Sequence, residues 1–100
     1  MIISETIKMI REELGLKQHE LASKAGVSQV LISTIESGKK KPSMDTLKAI
    51  AAAFGISYAE LMLRCYEDDE LGPNGSEMKD EMLALFAKQR KEVEAFYAQS

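Results

Sequence analysis

The sequence predicts an all-α protein: a five-helix domain, a linker and an amphipathic C-terminal helix. Three observations predict it. Apolar residues recur at steps of three and four along most of the chain, the period of a helix buried on one face. Serines and glycines fall where such helices should start and stop. At residue 67 the composition turns acidic and then Gly/Pro-rich. One hundred residues suit one compact domain with an appendage, and an apolar content of 45% is enough for a core.

The first helix carries Ile3, Ile7, Ile10 and Leu14 as one stripe, and Gly15 ends it in a left-handed cap position. The next 21 residues, Gln18 to Gly38, hold two short helices joined by a tight turn at Gly26. Leu21, Ala22 and Ala25 lie on the inner face of the first of these, Ile32 and Ile35 on that of the second. This is the layout of a helix-turn-helix, in which the second helix enters the DNA major groove. That helix runs from about Ser28, an N-cap residue, to Ser37, with Gly38 as its stop.

Lys39-Lys40-Lys41-Pro42 is a loop. Ser43 caps the fourth helix, with Asp45 well placed for its dipole. Leu47, Ile50, Ala51 and Phe54 make its buried stripe, and Gly55 stops it. Ser57 and Glu60 form a capping box that opens a short fifth helix through about Arg64. The domain is expected to span residues 1–66. Residues 67–75 are expected to be an acidic Gly/Pro linker. Residues 76–100 are expected to be a helix of roughly 22 residues capped by Ser76. Its apolar positions Met78, Met82, Leu85, Phe86, Val93, Phe96 and Tyr97 share one face. Isolated helices are marginal in water, so this face must be buried against something.

Charge is unevenly divided. The net charge of −3 hides nine Lys/Arg against seven Asp/Glu in residues 1–66, a balance of +2. Residues 67–100 hold four against nine, a balance of −5. Binding to phosphate depends on local field, so the first part suits nucleic acid despite the acidic whole.

Other classes of function lack their parts. One histidine provides no nucleophile–histidine–acid set, and there is no phosphate-cradling glycine loop, so the chain reads as a non-enzyme needing no cofactor. Cys65 is the only cysteine, so neither a disulfide nor a cysteine metal cage forms, and it reads as a small buried hydrophobe. Acids 67–70 lack the interleaved spacing of a calcium loop and read as a solvated linker. No apolar run is long enough to span a membrane. The N-terminus has no basic start or apolar stretch of a secretory signal, so a cytoplasmic protein is expected. His19 is expected to be exposed.

The pattern Gln18-x-Glu20-Leu21-Ala22-x-x-Ala25-Gly26-Val27-Ser28, then Ile32-Ser33-x-Ile35-Glu36-x-Gly38 and Pro42-Ser43, resembles the Cro/C1-type, XRE-like repressor domain. The resemblance covers residues 3–65. The placement of the last helix is similar to that in SinR-like repressors, where a C-terminal helical segment mediates assembly. The resemblance implies a double-stranded DNA operator, a homodimer and roles for particular residues. Gln18 would bind a DNA phosphate. Gln29, Val30 and Thr34 would face the groove, and Lys39, Lys40 and Lys41 would meet phosphate; Ser28 and Ser33 are expected to be further DNA-binding residues, the Ser33 hydroxyl suiting a phosphate or a nearby base. Glu36 would be structural, holding the end of the third helix against neighbouring backbone.

The residue chemistry agrees with these roles. A glutamine amide donates and accepts, which suits an adenine edge, and valine suits a thymine methyl. Val30 and Leu31 are more apolar than is usual there. They read as methyl contacts, as a protein-facing patch, or as a partly buried Leu31. Lys17 replaces the usual serine cap of the second helix, and lysine cannot cap. Two surfaces are expected to serve dimerisation: Leu61 and Met62 on the fifth helix, or Met78, Met82, Leu85, Phe86, Val93 and Phe96 on the last. The methionine-rich face also suits an antirepressor or toxin protein. An antitoxin that autoregulates its operon through the same DNA domain is the alternative reading.

Overall fold

Apolar residues at helical spacing fold into helices only when their stripes find each other, and five of them do so here. The computed structural model describes residues 1–99. It is all-α, with no strand among the described residues. The helices are α1 (Ile3–Glu13), α2 (Gln18–Ala25), α3 (Gln29–Glu36), α4 (Met44–Phe54), α5 (Tyr58–Cys65) and α6 (Gly75–Ala98). A single 3-10 turn, Asp68–Leu71, precedes α6. The chain divides into two compact units, Met1–Cys65 and the residues from Tyr66 onward.

The core of the first unit is built from every helix in it. Ile7 and Ile10 of α1 meet Leu21 and Ala22 of α2, Ile32 and Ile35 of α3, and Leu47, Ile50, Ala51 and Phe54 of α4. Leu61 and Cys65 of α5 complete it, both fully buried. Each buried Ile or Leu contributes about 1.5–3 kcal/mol of transfer free energy. The Ile2 backbone N–H donates to the Cys65 carbonyl at 2.8 Å, which joins the two ends of the unit.

Local signals act as the sequence predicts at most helix ends. Ser28 Oγ accepts from Leu31 N–H at 3.1 Å and Ser43 Oγ from Thr46 N–H at 3.1 Å. Ser57 Oγ accepts from Glu60 N–H at 3.0 Å. Gly26 sits at φ 70°, ψ 31°, a left-handed cap that a side chain would strain, and its N–H satisfies the last carbonyls of α2.

Three expectations change, and a fourth holds with a partial substitute. Leu14 does not extend the buried stripe of α1: it is 52% exposed, because α1 ends at Glu13 and Leu14 falls on its cap. Although Lys17 cannot cap α2, the Glu20 carboxylate reaches back to the Lys17 N–H at 2.9 Å and does half of that work. The stretch 67–75 is not a plain linker, since residues 68–71 form a 3-10 turn whose Glu67 N–H donates to Glu70 Oε1 at 2.8 Å. Nor does Ser76 cap the last helix, which begins at Gly75. The 3-10 turn packs against that start so closely that a Cβ on Gly75 would lie 1.8 Å from the Asp68 carbonyl oxygen. Lys79 Nζ closes the same corner by donating to the Tyr66 carbonyl at 2.6 Å.

Candidate nucleic-acid interface

An amphipathic helix clamped on one face presents the other, and α3 is built this way. Ile32 and Ile35 are buried, and Leu31 is half-buried against the same core. Leu31 is therefore the partly buried residue among its three sequence readings. Gln29, Val30 and Ser33 are exposed on the opposite side, Val30 by 76%. Such exposure of a valine has no packing explanation within the unit. Thr34 is half-buried, and its Oγ1 donates to the Val30 carbonyl at 2.7 Å, so part of its hydrogen-bonding capacity is used within the helix. Ser28 is exposed, and its hydroxyl serves as the N-cap.

Gln18 opens α2 beside the far end of α3. Its Nε2 donates to Glu36 Oε1 at 3.2 Å. Glu36 is held in turn by Arg11 of α1, whose Nε and Nη2 donate to the two carboxylate oxygens at 2.7 and 2.9 Å. The Arg11 Nη1 donates to the Leu16 carbonyl at 2.7 Å. The side chains of Arg11 and Glu36 are only 11% and 3% exposed. Its hydrogen bonds to Glu36 hold the Arg11 guanidinium above its ordinary pKa. One buried bidentate ion pair thus fixes α1, the turn after it, α2 and α3 relative to one another.

The family resemblance assigns Glu36 to neighbouring backbone, whereas it binds the side chains of Arg11 and Gln18. The sequence alone gives Arg11 no role, because nothing local marks a partner 25 residues away. Lys39, Lys40 and Lys41 follow α3 and are all exposed. His19 is exposed, as expected.

Of the two expected dimer surfaces, the first is altered by packing. Leu61 is 0% exposed and belongs to the core, so its side chain is not available to a second protein. An apolar residue on a short helix reads as a surface contact until its neighbours in space are known. Met62 is half-buried against that core. In the second unit, Met78, Met82, Leu85, Val93 and Phe96 are exposed by 41–69%, and Phe86 is half-buried. Among the described residues there is no group of three or more His, Cys, Asp or Glu placed to hold a metal. No single helix among them is long and apolar enough to cross a membrane.

The sequence model of the helix-turn-helix family (HTH_3) matches residues 7–61, which hold the whole of α2, the turn and α3. The chain belongs to this family. Its relatives are regulators of transcription. It is 33% identical over 95 residues to the immunity repressor protein of Bacillus phage phi105, covering 93% of this chain and 62% of that protein. It is 34% identical over 61 residues to an uncharacterised helix-turn-helix-type transcriptional regulator of Sinorhizobium fredii, covering 61% and 79%. A similar uncharacterised regulator of Methanocaldococcus jannaschii is 41% identical over 64 residues, covering 64% and 94%. Among solved structures, a SinR protein/SinI protein complex superposes with a TM-score of 0.61 at 29% identity, covering 98% of this chain and 95% of that one. The protein is an XRE-like transcriptional regulator with a helix-turn-helix DNA-binding domain.

Proposed function

We propose that the protein is a dimeric repressor that reads a near-palindromic operator through α3. The observation that carries this reading is the outer face of α3, where Gln29, Val30 and Ser33 stand exposed while Ile32 and Ile35 anchor the helix from behind. In this reading Gln29 hydrogen-bonds a base edge, with adenine favoured, and Val30 packs on a thymine methyl. Ser28, Ser33 and Thr34 supply hydroxyls at the groove edge. Gln18, its amide already held by Glu36, donates its second N–H to a phosphate. Lys39, Lys40 and Lys41 add phosphate contacts, so affinity falls steeply with salt.

A homodimer would place two copies of α3 in successive major grooves, about 34 Å apart. The exposed apolar face of α6 supports assembly through the second unit. Bound at its operator, the dimer would exclude RNA polymerase. It would act as a cytoplasmic, non-enzymatic protein. The test is selection of binding sites from a random duplex library with the purified full-length chain. The reading predicts an inverted repeat with half-sites about one helical turn apart. Only weak, salt-sensitive binding without enrichment would contradict it.

A second reading has one observation in its favour. One solved structure similar to this chain along nearly its whole length is a complex of SinR with another protein, SinI. By this reading α6 also receives an antirepressor or a toxin, and co-purification of a second small protein would reveal it.

A further inference from the structure

The hydroxyls on α3 differ in the hydrogen-bonding capacity they have left. At about 100° per residue, Val30, Ser33 and Thr34 all lie within about 50° of the direction opposite Ile32 and Ile35, on the face turned away from the core. Thr34 is half-buried there, not enclosed. Its Oγ1 lies 2.7 Å from the Val30 carbonyl oxygen. A carbonyl only accepts, so the single hydroxyl hydrogen of Thr34 is committed to that bond and only lone pairs remain. Ser28 is the reverse case. Its Oγ accepts from the Leu31 N–H at 3.1 Å, so its hydrogen stays free to donate.

We infer that Thr34 reads the exocyclic amine of one base in each half-site, N6 of adenine or N4 of cytosine, and binds neither a phosphate nor the carbonyl of a base. Phosphate oxygens, guanine O6 and N7, and thymine O4 all accept. To meet any of them Thr34 would withdraw its hydrogen from Val30, trading one hydrogen bond for another with little net gain. An amine keeps one N–H in the base pair and points the other into the major groove, where it donates into a lone pair that Thr34 has left. That contact is an addition and costs no existing bond. The γ-methyl of threonine helps to hold this state, since a threonine in a helix is confined mainly to two rotamers. Ser28, with its hydrogen free, suits the acceptors instead. Two hydroxyls on one short helix therefore read opposite chemistry. This inference rests on the reading of α3 as the groove helix and adds the base chemistry that Thr34 selects.

The test is equilibrium binding of the full-length chain to the operator that selection yields, with single functional groups deleted from its bases. Purine for adenine, or 2-pyrimidinone for cytosine, removes the amine. Removal of the carbonyl oxygen takes 5-methyl-2-pyrimidinone for thymine, or 2-aminopurine for guanine. At one position of a half-site, deleting the amine should weaken the wild type and Thr34→Ser about fivefold and Thr34→Val not at all, because valine keeps the shape of threonine and lacks its oxygen. Comparison with Thr34→Val removes the cost of weakened base pairing, which all three proteins share. Thr34→Val should match the wild type in circular dichroism; if it unfolds, Thr34→Ala, which a helix favours, takes its place. A carbonyl deletion that costs the wild type and spares Thr34→Val would overturn the inference, since the hydroxyl would then be donating. A Thr34→Val that binds every duplex more weakly by the same factor would overturn it too, as the mark of a phosphate contact. So would a Thr34→Val indistinguishable from the wild type on every duplex. A wild type that selects no motif would overturn the groove reading itself.

Discussion

Arg11 and Glu36 share two hydrogen bonds in a place with little water, and removing one partner strands the other. Breaking such a pair costs about 3–5 kcal/mol, while replacing both members with apolar residues of similar volume costs far less. Urea unfolding should therefore show Arg11→Ala well below the wild type and Arg11→Met with Glu36→Leu close to it; equal losses would mean that the pair does not bind the helices together. Val30 contributes at the same scale but differently. It is 76% exposed, so Val30→Ala should leave the unfolding midpoint nearly unchanged. If it packs on a thymine methyl, replacing thymine by uracil in the operator should cost the wild type about 0.8 kcal/mol and Val30→Ala almost nothing, read by equilibrium binding. Single residues also mark where sequence reading ends. The cap of Ser28 and the turn at Gly26 are local, so they are legible in a few letters. The Arg11–Glu36 pair and the burial of Leu61 depend on neighbours distant in sequence, and no spacing rule reveals them.

At the scale of elements, the proposed function divides the work of binding between α3 and the lysine loop. The loop's charges are exposed and have no packing role, so replacing Lys39, Lys40 and Lys41 together by alanine should weaken binding to every duplex. The slope of log affinity against log salt should flatten by up to about three, one for each phosphate that a lysine no longer neutralises. An unchanged slope would return the loop to solvent. The start of α6 offers a test of the second unit. Alanine is favoured over glycine inside a helix by up to about 1 kcal/mol, so propensity alone predicts that Gly75→Ala stabilises. Contact with the Asp68 carbonyl predicts the opposite. Faster amide exchange at residues 68–79 in Gly75→Ala is the expected outcome, and slower exchange would mean that the 3-10 turn does not pack on the helix. Composition marks 67–75 as a linker because acids, proline and glycine dominate it. Its 3-10 turn is held by the Glu67–Glu70 and Lys79–Tyr66 hydrogen bonds, which composition does not encode.

At the scale of the whole molecule, the first unit closes its own core while the second leaves an apolar face open. The first is legible because each of its helices carries a stripe, a start and a stop, and the stripes all point inward. In the second, the stripe on α6 is equally plain, but a stripe names a face without naming what covers it. In the proposed reading the two units are joined by function: α3 would read the base pairs, and assembly through α6 would double the reading.

The most direct test of that claim is binding-site selection run side by side on the wild type and Gln29→Ala. The expected result is an inverted repeat from both proteins with the same half-site spacing, and a preference lost in Gln29→Ala at one position in each half-site, symmetrically. The same motif from both proteins, with every position equally sharp, would contradict reading through the exposed face of α3.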